Sequence, residues 1–381
     1  MLLTGGGTAG HITPILAVAH ELKQLQPDSE VIYVGERRSK FGQLTDGHTA
    51  IDSVYSVFSG KLRRYHRESW LERLTDLNTI FLNIRDILFV LIGIVQAWRL
   101  LAKLKPDAVF LKGGYVGVPV GLAAAAHHIP IVTHDSDALR GLANRLVTRW
   151  VNVHATALPA KYYPYPPQKV KHVGVLVEHD YQPVDADMQA KYKTQLGLPA
   201  DKPLLLITGG SLGAEQINKT VASFVGELLA KRPNLRIIHQ VGQGKKNVYS
   251  DYSHERLQIT EFMKPMYVNT GAADLIVTRA GANAMAEFGV QQKACIVVPS
   301  PHLTGGHQLK NAELLKEQGS ALVIQEDDLL DKAGGLMPAI ERLLDNEVIR
   351  KQLAVQLSQS TLPHAAKELA QILIDQVKNK T

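Results

Sequence analysis

An α/β fold built as two doubly wound domains is what the sequence predicts, and three observations carry the prediction. The chain has 381 residues, too many for one ordinary core and right for two domains of usual size. Short apolar runs alternate with helix-like segments through both halves, the rhythm of parallel strands joined by helices. Two glycine-rich turns stand half a chain apart, Gly5-Gly6-Gly7-Thr8-Ala9-Gly10-His11 and Gly209-Gly210-Ser211-Leu212-Gly213-Ala214. Each follows a strand candidate (residues 1–3 and 204–207) and precedes a helical segment (14–25 and 216–229). Glycine lets the backbone approach a bulky anion, and the helix N-terminus behind it offers unpaired N–H groups and a positive dipole end. Either turn alone reads equally well as a tight strand–helix connection. The duplication points to two diphosphate sites, one per domain. Neither turn carries the Lys-Ser/Thr of a phosphate loop, and the first lacks the spacing of a dinucleotide fingerprint.

In the first half, strands are expected at 31–34, 108–111, 129–133 and 151–155, with helices at 118–126 and 142–148. Polar or glycine-rich turns follow strands at 5–11, 113–115 and 134–137, where ligands gather in such folds. Periodicity is lost around 162–167 and 173–183, which are rich in Pro, Tyr and Gly. The crossing is therefore placed near 174–180, giving domains 1–177 and 178–362. From 204 the alternation restarts, with strands at 204–207, 236–240, 257–260, 275–278 and 294–298. Helices are expected at 216–229, 266–272, 283–288, 308–317 and 333–344. A last helix, 365–377, follows Pro363, and the 363–381 segment is expected to pack back on the first domain.

The composition is that of a globular protein, 45% hydrophobic and 20% charged, with net charge +6 and a pI near 9.1, which favours anionic partners. A single cysteine, Cys295, excludes an internal disulfide and fits a reducing compartment. The chain runs straight into its first strand, so no signal peptide is expected. A basic cluster, Lys61-Leu62-Arg63-Arg64-Tyr65-His66-Arg67, precedes an apolar run of nine residues at 87–95. Nine is well short of the roughly 20 needed to span a bilayer. The wider helix-like segment, 70–104, is interrupted by Arg73, Asp76, Arg85, Asp86, Arg99 and Lys103. Length alone favours a buried core helix; an apolar ridge flanked by cations fits instead a surface resting on an anionic leaflet. The cluster lacks the interleaved aromatics of a nucleic-acid module, so no nucleic-acid partner is expected. No His/Asp/Glu grouping has convincing metal-ligand spacing. The nearest, His302 and His307 around Gly305-Gly306, does not predict a metal.

Further motifs run in a fixed order. Gly6-Gly7-Thr8-Ala9-Gly10-His11-Ile12-Thr13-Pro14 is followed by Ser59-Gly60-Lys61-Leu62-Arg63-Arg64, Gly113-Gly114-Tyr115-Val116-Gly117 and His134-Asp135-Ser136-Asp137. The second half carries Gly209 to Ala214, then His239-Gln240-Val241-Gly242 and Glu261-Phe262-Met263. Arg279-Ala280-Gly281-Ala282-Asn283 with Glu287 comes next, then His307-Gln308 and Asn311-Ala312. This ordered set, over nearly the whole chain, resembles the MurG family of bacterial glycosyltransferases of peptidoglycan synthesis, whose opening loop is GGTGGH. The resemblance implies a GT-B glycosyltransferase fold, two Rossmann-like domains with an interdomain cleft. It implies inverting transfer of N-acetylglucosamine from UDP-N-acetylglucosamine to the 4-hydroxyl of lipid-linked N-acetylmuramyl-pentapeptide diphosphate, lipid I to lipid II. No tightly bound cofactor is implied, UDP-N-acetylglucosamine being a donor substrate. The acceptor would be a lipid-linked diphosphate sugar, and the enzyme would sit peripherally on the cytoplasmic side of the cell membrane, its N-terminal domain on anionic lipid.

The chemistry sets the roles. A neutral sugar hydroxyl is a poor nucleophile, so a base must take its proton as the bond to C1 forms. The departing UDP gains charge, which glycine-turn amides and a helix N-terminus can stabilise without a metal. The resemblance makes His11 the first candidate base, a near-neutral imidazole suiting that task, and Asp135 the second. Otherwise His11 caps its loop or binds a diphosphate oxygen, and Asp135 orients His11 or caps the next helix. Donor contacts are implied for Thr8, Ala9, Gly10 and Asp137, and in the second domain for Gly210, Ser211, Leu212 and Gly213. Phe262, Met263, Ala282, Asn283, Ala284, Glu287, His307 and Gln308 complete the donor set. Met263 is expected to meet uracil through its backbone, and the Glu287 carboxylate to accept both ribose hydroxyls. Gly7, Gly113, Gly114 and Tyr115 are implied on the acceptor side. The plainer readings are turn geometry for the glycines and a solvated helix position for Glu287.

Six positions depart from the family pattern. Asp135-Ser136-Asp137 stands where Glu-Gln-Asn is common, Glu178 where an arginine is usual, Ala9 for a loop glycine and Ala280 for a frequent serine. They leave open a related GT-B transferase with another nucleotide sugar or lipid acceptor, or a non-catalytic UDP-sugar-binding protein. An epimerase cleaving the UDP-sugar would need more acids around C1.

Overall fold

The computed structural model describes residues 1–7, 9–37, 45, 47–61, 77–210, 212–250, 252–301 and 306–378. Thr8, Ser211, the basic residues at 63, 64, 66 and 67, Arg73 with Asp76, and His302 lie outside the described residues. The chain forms two compact units, Met1–Glu178 with Leu362–Thr381, and His179–Thr361.

The first unit holds a sheet of strands β1 (Leu2–Gly5), β2 (Ile32–Glu36), β3 (Ser53–Val57), β4 (Val109–Gly113), β5 (Ile131–Asp135), β6 (Val153–Thr156) and β7 (Val170–His172). Their spatial order is β3-β2-β1-β4-β5-β6-β7, and every pairing is parallel. Helices α1 (Ala9–Leu25), α2 (Leu77–Leu104), α3 (Gly117–Ala126) and α4 (Leu142–Val147) connect them. Alternate strand residues face opposite sides. Leu3 and Phe110 therefore pack with Ile15, Val18 and Leu22 of α1, while Leu2 and Leu111 pack with Leu101, Val120 and Val147 of α2 to α4.

The second unit repeats the plan with β8 (Leu204–Thr208), β9 (Arg236–Gln240), β10 (Leu257–Thr260), β11 (Leu275–Thr278), β12 (Cys295–Val297) and β13 (Leu322–Val323). The order is β10-β9-β8-β11-β12-β13, again parallel. Its helices are α5 (Ala186–Gln195), α6 (Glu215–Lys231), α7 (Met266–Ala272), α8 (Ala282–Val290), α9 (His307–Glu317), α10 (Leu336–Asp345) and α11 (Glu347–Gln359). Two of them open on side-chain caps, Asp185 accepting from Met188 N at 2.8 Å and Asn346 from Ile349 N at 3.0 Å, each worth about 1 kcal/mol. A last helix, α12 (Ala365–Lys378), belongs to the first unit, where Leu369, Leu373 and Ile374 join the α1 core.

Several elements differ from the sequence expectation. Helix α1 starts at Ala9 rather than 14, so Ala9, Gly10 and His11 form its first turn instead of a loop. Strands β3, β7 and β13 and helices α5 and α11 were not expected. β3 and β7 are the two edges of their sheet, and an edge strand needs no continuous apolar run. The largest correction concerns α2, a 28-residue helix of which only nine residues had been counted as apolar run. Its 81–104 stretch is long and apolar enough to cross a membrane by length and composition. It is not a buried core helix: Phe81, Ile84, Ile87, Leu88, Leu91, Ile92, Val95 and Trp98 are each about half exposed or more. The other face is tied down, with Ala97 and Leu101 buried. At Gly93 a Cβ would come within 1.9 Å of the Phe58 carbonyl oxygen.

Candidate functional site

In both sheets the strand order reverses beside the first strand, between β1 and β4 and between β8 and β11. A crevice opens beyond the carboxyl ends at such a reversal, and the two glycine turns leave β1 and β8 at these points.

In the first unit the loops after β1 and β4 are pressed together. Gly114 has φ 75°, and a Cβ there would lie 2.1 Å from Gly6 O; one on Gly7, φ 93°, would lie 2.7 Å from Tyr115 Cε1. The Tyr115 hydroxyl donates to Glu36 Oε2 at 2.6 Å. His11, from the first turn of α1, lies over Gly113, where a Cβ would stand 3.6 Å from Cδ2 and 3.8 Å from Nε2 of its ring. His11 keeps some accessible surface, but burial, helped by the Lys112 charge and opposed by Asp137, pushes its pKa down to about 4. The near-neutral value expected for this imidazole is thus corrected: dense protein around the ring disfavours its charged form. At physiological pH it is neutral and able to accept a proton.

The end of β5 supplies the next layer. Asp135 is buried, its carboxylate accepting from Gly141 N at 2.9 Å, Asn144 Nδ2 at 3.0 Å and Tyr165 Oη at 2.7 Å. Burial raises its pKa in spite of those bonds. These contacts commit the carboxylate to holding the 136–141 turn. Tyr163 Oη donates to the carbonyl of Asp137 at 2.9 Å, which fixes the half-buried Asp137 at the turn's crest. His134 donates through Nε2 to Gly174 O at 2.9 Å, and burial followed by the Lys112 charge holds it neutral.

Lys112, Asn144, Tyr163 and Tyr165 carry no motif in the sequence that marks them for this layer. A lysine closing an otherwise apolar strand, Val109-Phe110-Leu111-Lys112, was the available signal for the first. It is 5% exposed.

In the second unit the turn after β8 is equally tight. A Cβ on Gly209 would lie 2.2 Å from Ala214 N, and one on Gly213, φ 68°, 1.9 Å from Val241 O. Two amides expected to hold diphosphate are engaged inside the turn: Gly210 N donates to Thr208 Oγ1 at 3.1 Å, and Gly213 N to Gly210 O at 3.0 Å. Leu212 projects its side chain into solvent while its carbonyl accepts from Lys245 Nζ at 2.9 Å. After β10, Phe262 is exposed and Met263 buried. After β11, Asn311 Nδ2 donates to Ala280 O at 3.0 Å, and Arg279 pairs with Glu326. That turn delivers α8, whose Ala282, Asn283, Ala284 and Glu287 are half-buried. Helix α9 starts at His307 behind Gly306, φ 65°. Gln308 is buried, its side-chain oxygen accepting from Ser300 N at 3.0 Å, so that oxygen braces the loop after β12. Among the described residues no group of three or more His, Cys, Asp or Glu is placed to hold a metal ion.

Known proteins share this arrangement. Residues 1–156 match the N-terminal domain of glycosyltransferase family 28, and residues 204–369 its C-terminal domain. The chain is 32% identical to the UDP-N-acetylglucosamine–N-acetylmuramyl-(pentapeptide) pyrophosphoryl-undecaprenol N-acetylglucosamine transferase of Limosilactobacillus reuteri, covering 98% of this chain and 97% of that one. The crystal structure of Acinetobacter baumannii MurG superposes with a TM-score of 0.70 at 26% identity, over 98% of this chain and 99% of that one. The glycosyltransferase of kitacinnamycin shares the fold at 14% identity, with a TM-score of 0.69 over 99% of this chain and 98% of that one.

Proposed function

The chain belongs to glycosyltransferase family 28, and from that premise we infer that it is an inverting N-acetylglucosaminyltransferase of peptidoglycan synthesis. It has the GT-B fold, two Rossmann-like units. It moves N-acetylglucosamine from UDP-N-acetylglucosamine to the 4-hydroxyl of lipid-linked N-acetylmuramyl-pentapeptide diphosphate. The observation that carries this is the 32% identity, over nearly the full length of both chains, to a transferase of that name.

The residue roles extend that reading. His11 is the base: its neutral imidazole takes the proton as the acceptor oxygen bonds to C1. The bond between C1 and the diphosphate oxygen breaks on the opposite face, UDP leaves with the electron pair, and the anomeric centre inverts. Asp135, its carboxylate occupied by three donors, is assigned to shaping the turn that presents Asp137 rather than to proton transfer. Gly7, Gly113, Gly114 and Tyr115 form the acceptor side. On the donor side, the start of α8 and the β8 turn face the diphosphate, Glu287 takes the ribose hydroxyls, and Met263 with Phe262 meets uracil. This chemistry needs no bound metal or cofactor, because developing charge on UDP can be met by backbone amides.

The acceptor is lipid-linked, and the exposed ridge of α2 suits a membrane. Its apolar side chains recur at three- and four-residue spacing, while Lys61, Arg99 and Lys103 supply exposed cations nearby. A helix fastened along its other face by Gly93 and Leu101 lies on a bilayer rather than across it. Each half-exposed side chain contributes on the order of 1 kcal/mol when it leaves water. The protein is accordingly assigned to the cytoplasmic leaflet, where anionic lipid attracts its cations.

Product analysis tests the function. Purified protein with UDP-N-acetylglucosamine and the lipid-linked muramyl acceptor should yield the inverted, β-linked disaccharide. Equal turnover with UDP-glucose would transfer the reading to a related transferase, and donor binding without turnover would leave a UDP-sugar-binding protein.

A further inference from the structure

Glu36 falls in none of the motifs that carry the family resemblance, yet the fold sets it against the loops assigned to the acceptor. It ends β2, and its Oε2 accepts from the hydroxyl of Tyr115, 79 residues away, at 2.6 Å. The Tyr115 ring edge covers the first glycine turn: a Cβ on Gly7 would stand 2.7 Å from its Cε1 and 3.3 Å from its Cζ. Burial, then the bond to Glu36, pushes the Tyr115 hydroxyl above its ordinary range, so it keeps the proton that it donates. With that proton committed, the ring is what Tyr115 offers a substrate. A half-buried tyrosine has more than one staggered position open to it, and a charge-assisted bond at its tip selects one. Glu36 is itself fixed from behind. It aligns with Val57 of β3, and the next amide, Arg37 N, donates to Val57 O at 2.9 Å. The Arg37 guanidinium lies 4.8 Å over the Phe58 ring. Phe58 in turn stacks on Phe89 of α2 at 5.4 Å and donates its N–H to Gln96 Oε1 at 2.9 Å. The anchor of Tyr115 thus runs back through the sheet edge to the helix with the exposed ridge.

We propose that Glu36 is a positioning residue for the acceptor: its carboxylate holds the Tyr115 ring over Gly7, at one fixed place relative to the helix assigned to the membrane. That role rests on the acceptor side read above at Gly7, Gly113, Gly114 and Tyr115. Glu36 acts through the ring and makes no contact of its own with the substrate. An acceptor carried on a lipid arrives from the bilayer surface. A wall of its site tied to the membrane-facing helix keeps the incoming sugar and the glycine turn in register, and small displacements of a reacting group are costly. Without the bond the ring would swing away from Gly7, and the acceptor would bind less well while the donor pocket, built in the other unit, stayed as it was.

Steady-state kinetics of the full-length protein with UDP-N-acetylglucosamine and the lipid-linked muramyl acceptor read this directly. Glu36→Met keeps the bulk of the side chain and removes both oxygens; Glu36→Gln keeps one oxygen for the Tyr115 hydroxyl. Glu36→Met should raise the KM for the lipid acceptor by about tenfold, with a smaller change in kcat and none in calorimetric UDP affinity. Glu36→Gln should bring that KM back to within about threefold of wild type, a neutral bond being roughly half as strong as a charge-assisted one. Tyr115→Phe, which deletes the donated proton, should match Glu36→Met. The double variant should be no worse than either single one, as two ends of one bond require. An unmoved KM in Glu36→Met, or single losses that multiply in the double variant, overturns the proposal. A loss spread equally over kcat, KM and UDP affinity does the same, because it marks a general structural role. Wild-type protein that binds UDP but leaves the muramyl acceptor untouched refutes the functional reading first, and the acceptor side falls with it. Should Glu36→Met not fold, Glu36→Ala takes its place in each measurement.

Discussion

The two units share a strand order around their reversal points and differ in what they put there. In the first, the strand ends gather ionisable groups: His11, Lys112, His134, Asp135 and Asp137, mostly buried and shifted by burial. In the second, Arg279 after β11 pairs with Glu326, and the ends of β8 and β9 and the turns after β11 and β12 carry neutral hydrogen bonds beside that pair. Thr208 Oγ1 donates to Gln240 Oε1 at 2.9 Å, and Asn311 and Gln308 brace their turns. One unit gathers titratable side chains at its strand ends, and the other is braced there mainly by neutral groups. The same parallel sheet serves both because its loops, not its strands, carry the chemistry.

The sharpest way to break the contrast is His11→Ala, which should lower kcat by roughly 10²-fold or more while calorimetric UDP affinity stays put. Loss of UDP binding in that variant would place His11 in donor recognition. Next in size, Leu88→Glu with Leu91→Glu on the exposed ridge of α2 should cut liposome binding by about 10-fold or more, measured by flotation. Because both side chains are already exposed, thermal stability should hold; a large fall in Tm would return the ridge to the core. Glu287→Gln in the second unit should weaken UDP by about tenfold and leave 2′-deoxy-UDP less affected, with kcat nearly unchanged. Equal losses for both nucleotides would withdraw the ribose assignment.

The smallest effect is one of pH. Burial holds His11, His134 and His154 in the first unit, and His239 in the second, below the ordinary histidine value. The unfolded chain takes up protons near pH 6.5 that these folded rings refuse, so stability is full above that pH and falls as pH drops through it. From pH 7.5 to 6.5 each such ring costs about 0.4 kcal/mol. Hydrogen exchange should therefore show the first unit opening more readily on acidification than the second. The reverse order would mean that other groups dominate.

Much of the second unit was legible in the chain. Strands β9, β10 and β11 and helix α7 have the limits that the apolar runs and their flanking turns suggested. Strands β9 and β11 are buried almost throughout, and burial imposes an apolar run that sequence displays; β10, at the sheet edge, shows instead the alternation Leu257-Gln258-Ile259-Thr260. Legibility fell at β3, β7 and β13, edge strands that are very short or broken by polar residues, and at α1, which starts at Ala9 and runs through Pro14. In the first unit, the glycine-rich pattern at Gly7, Gly113 and Gly114 was legible, because positive φ at all three and close approach at Gly7 and Gly114 demand glycine there. Lys112 and Tyr165 were not. They matter through neighbours 24 and 30 residues away, Ser136 and Asp135.

By itself, then, the amino-acid order determined the alternation of strand and helix, the two glycine-rich turns and the order of motifs that identifies the family. These depend on local backbone sterics and on periodicity, which reach only a few residues along the chain. Tertiary structure alone decided which face of α2 is left uncovered by the rest of the chain, that Asp135 is walled in by three donors, and that Lys112 is buried with its ammonium on Ser136. Each of those outcomes depends on which distant segment arrives to cover a surface or supply a partner, and no local pattern encodes that arrival.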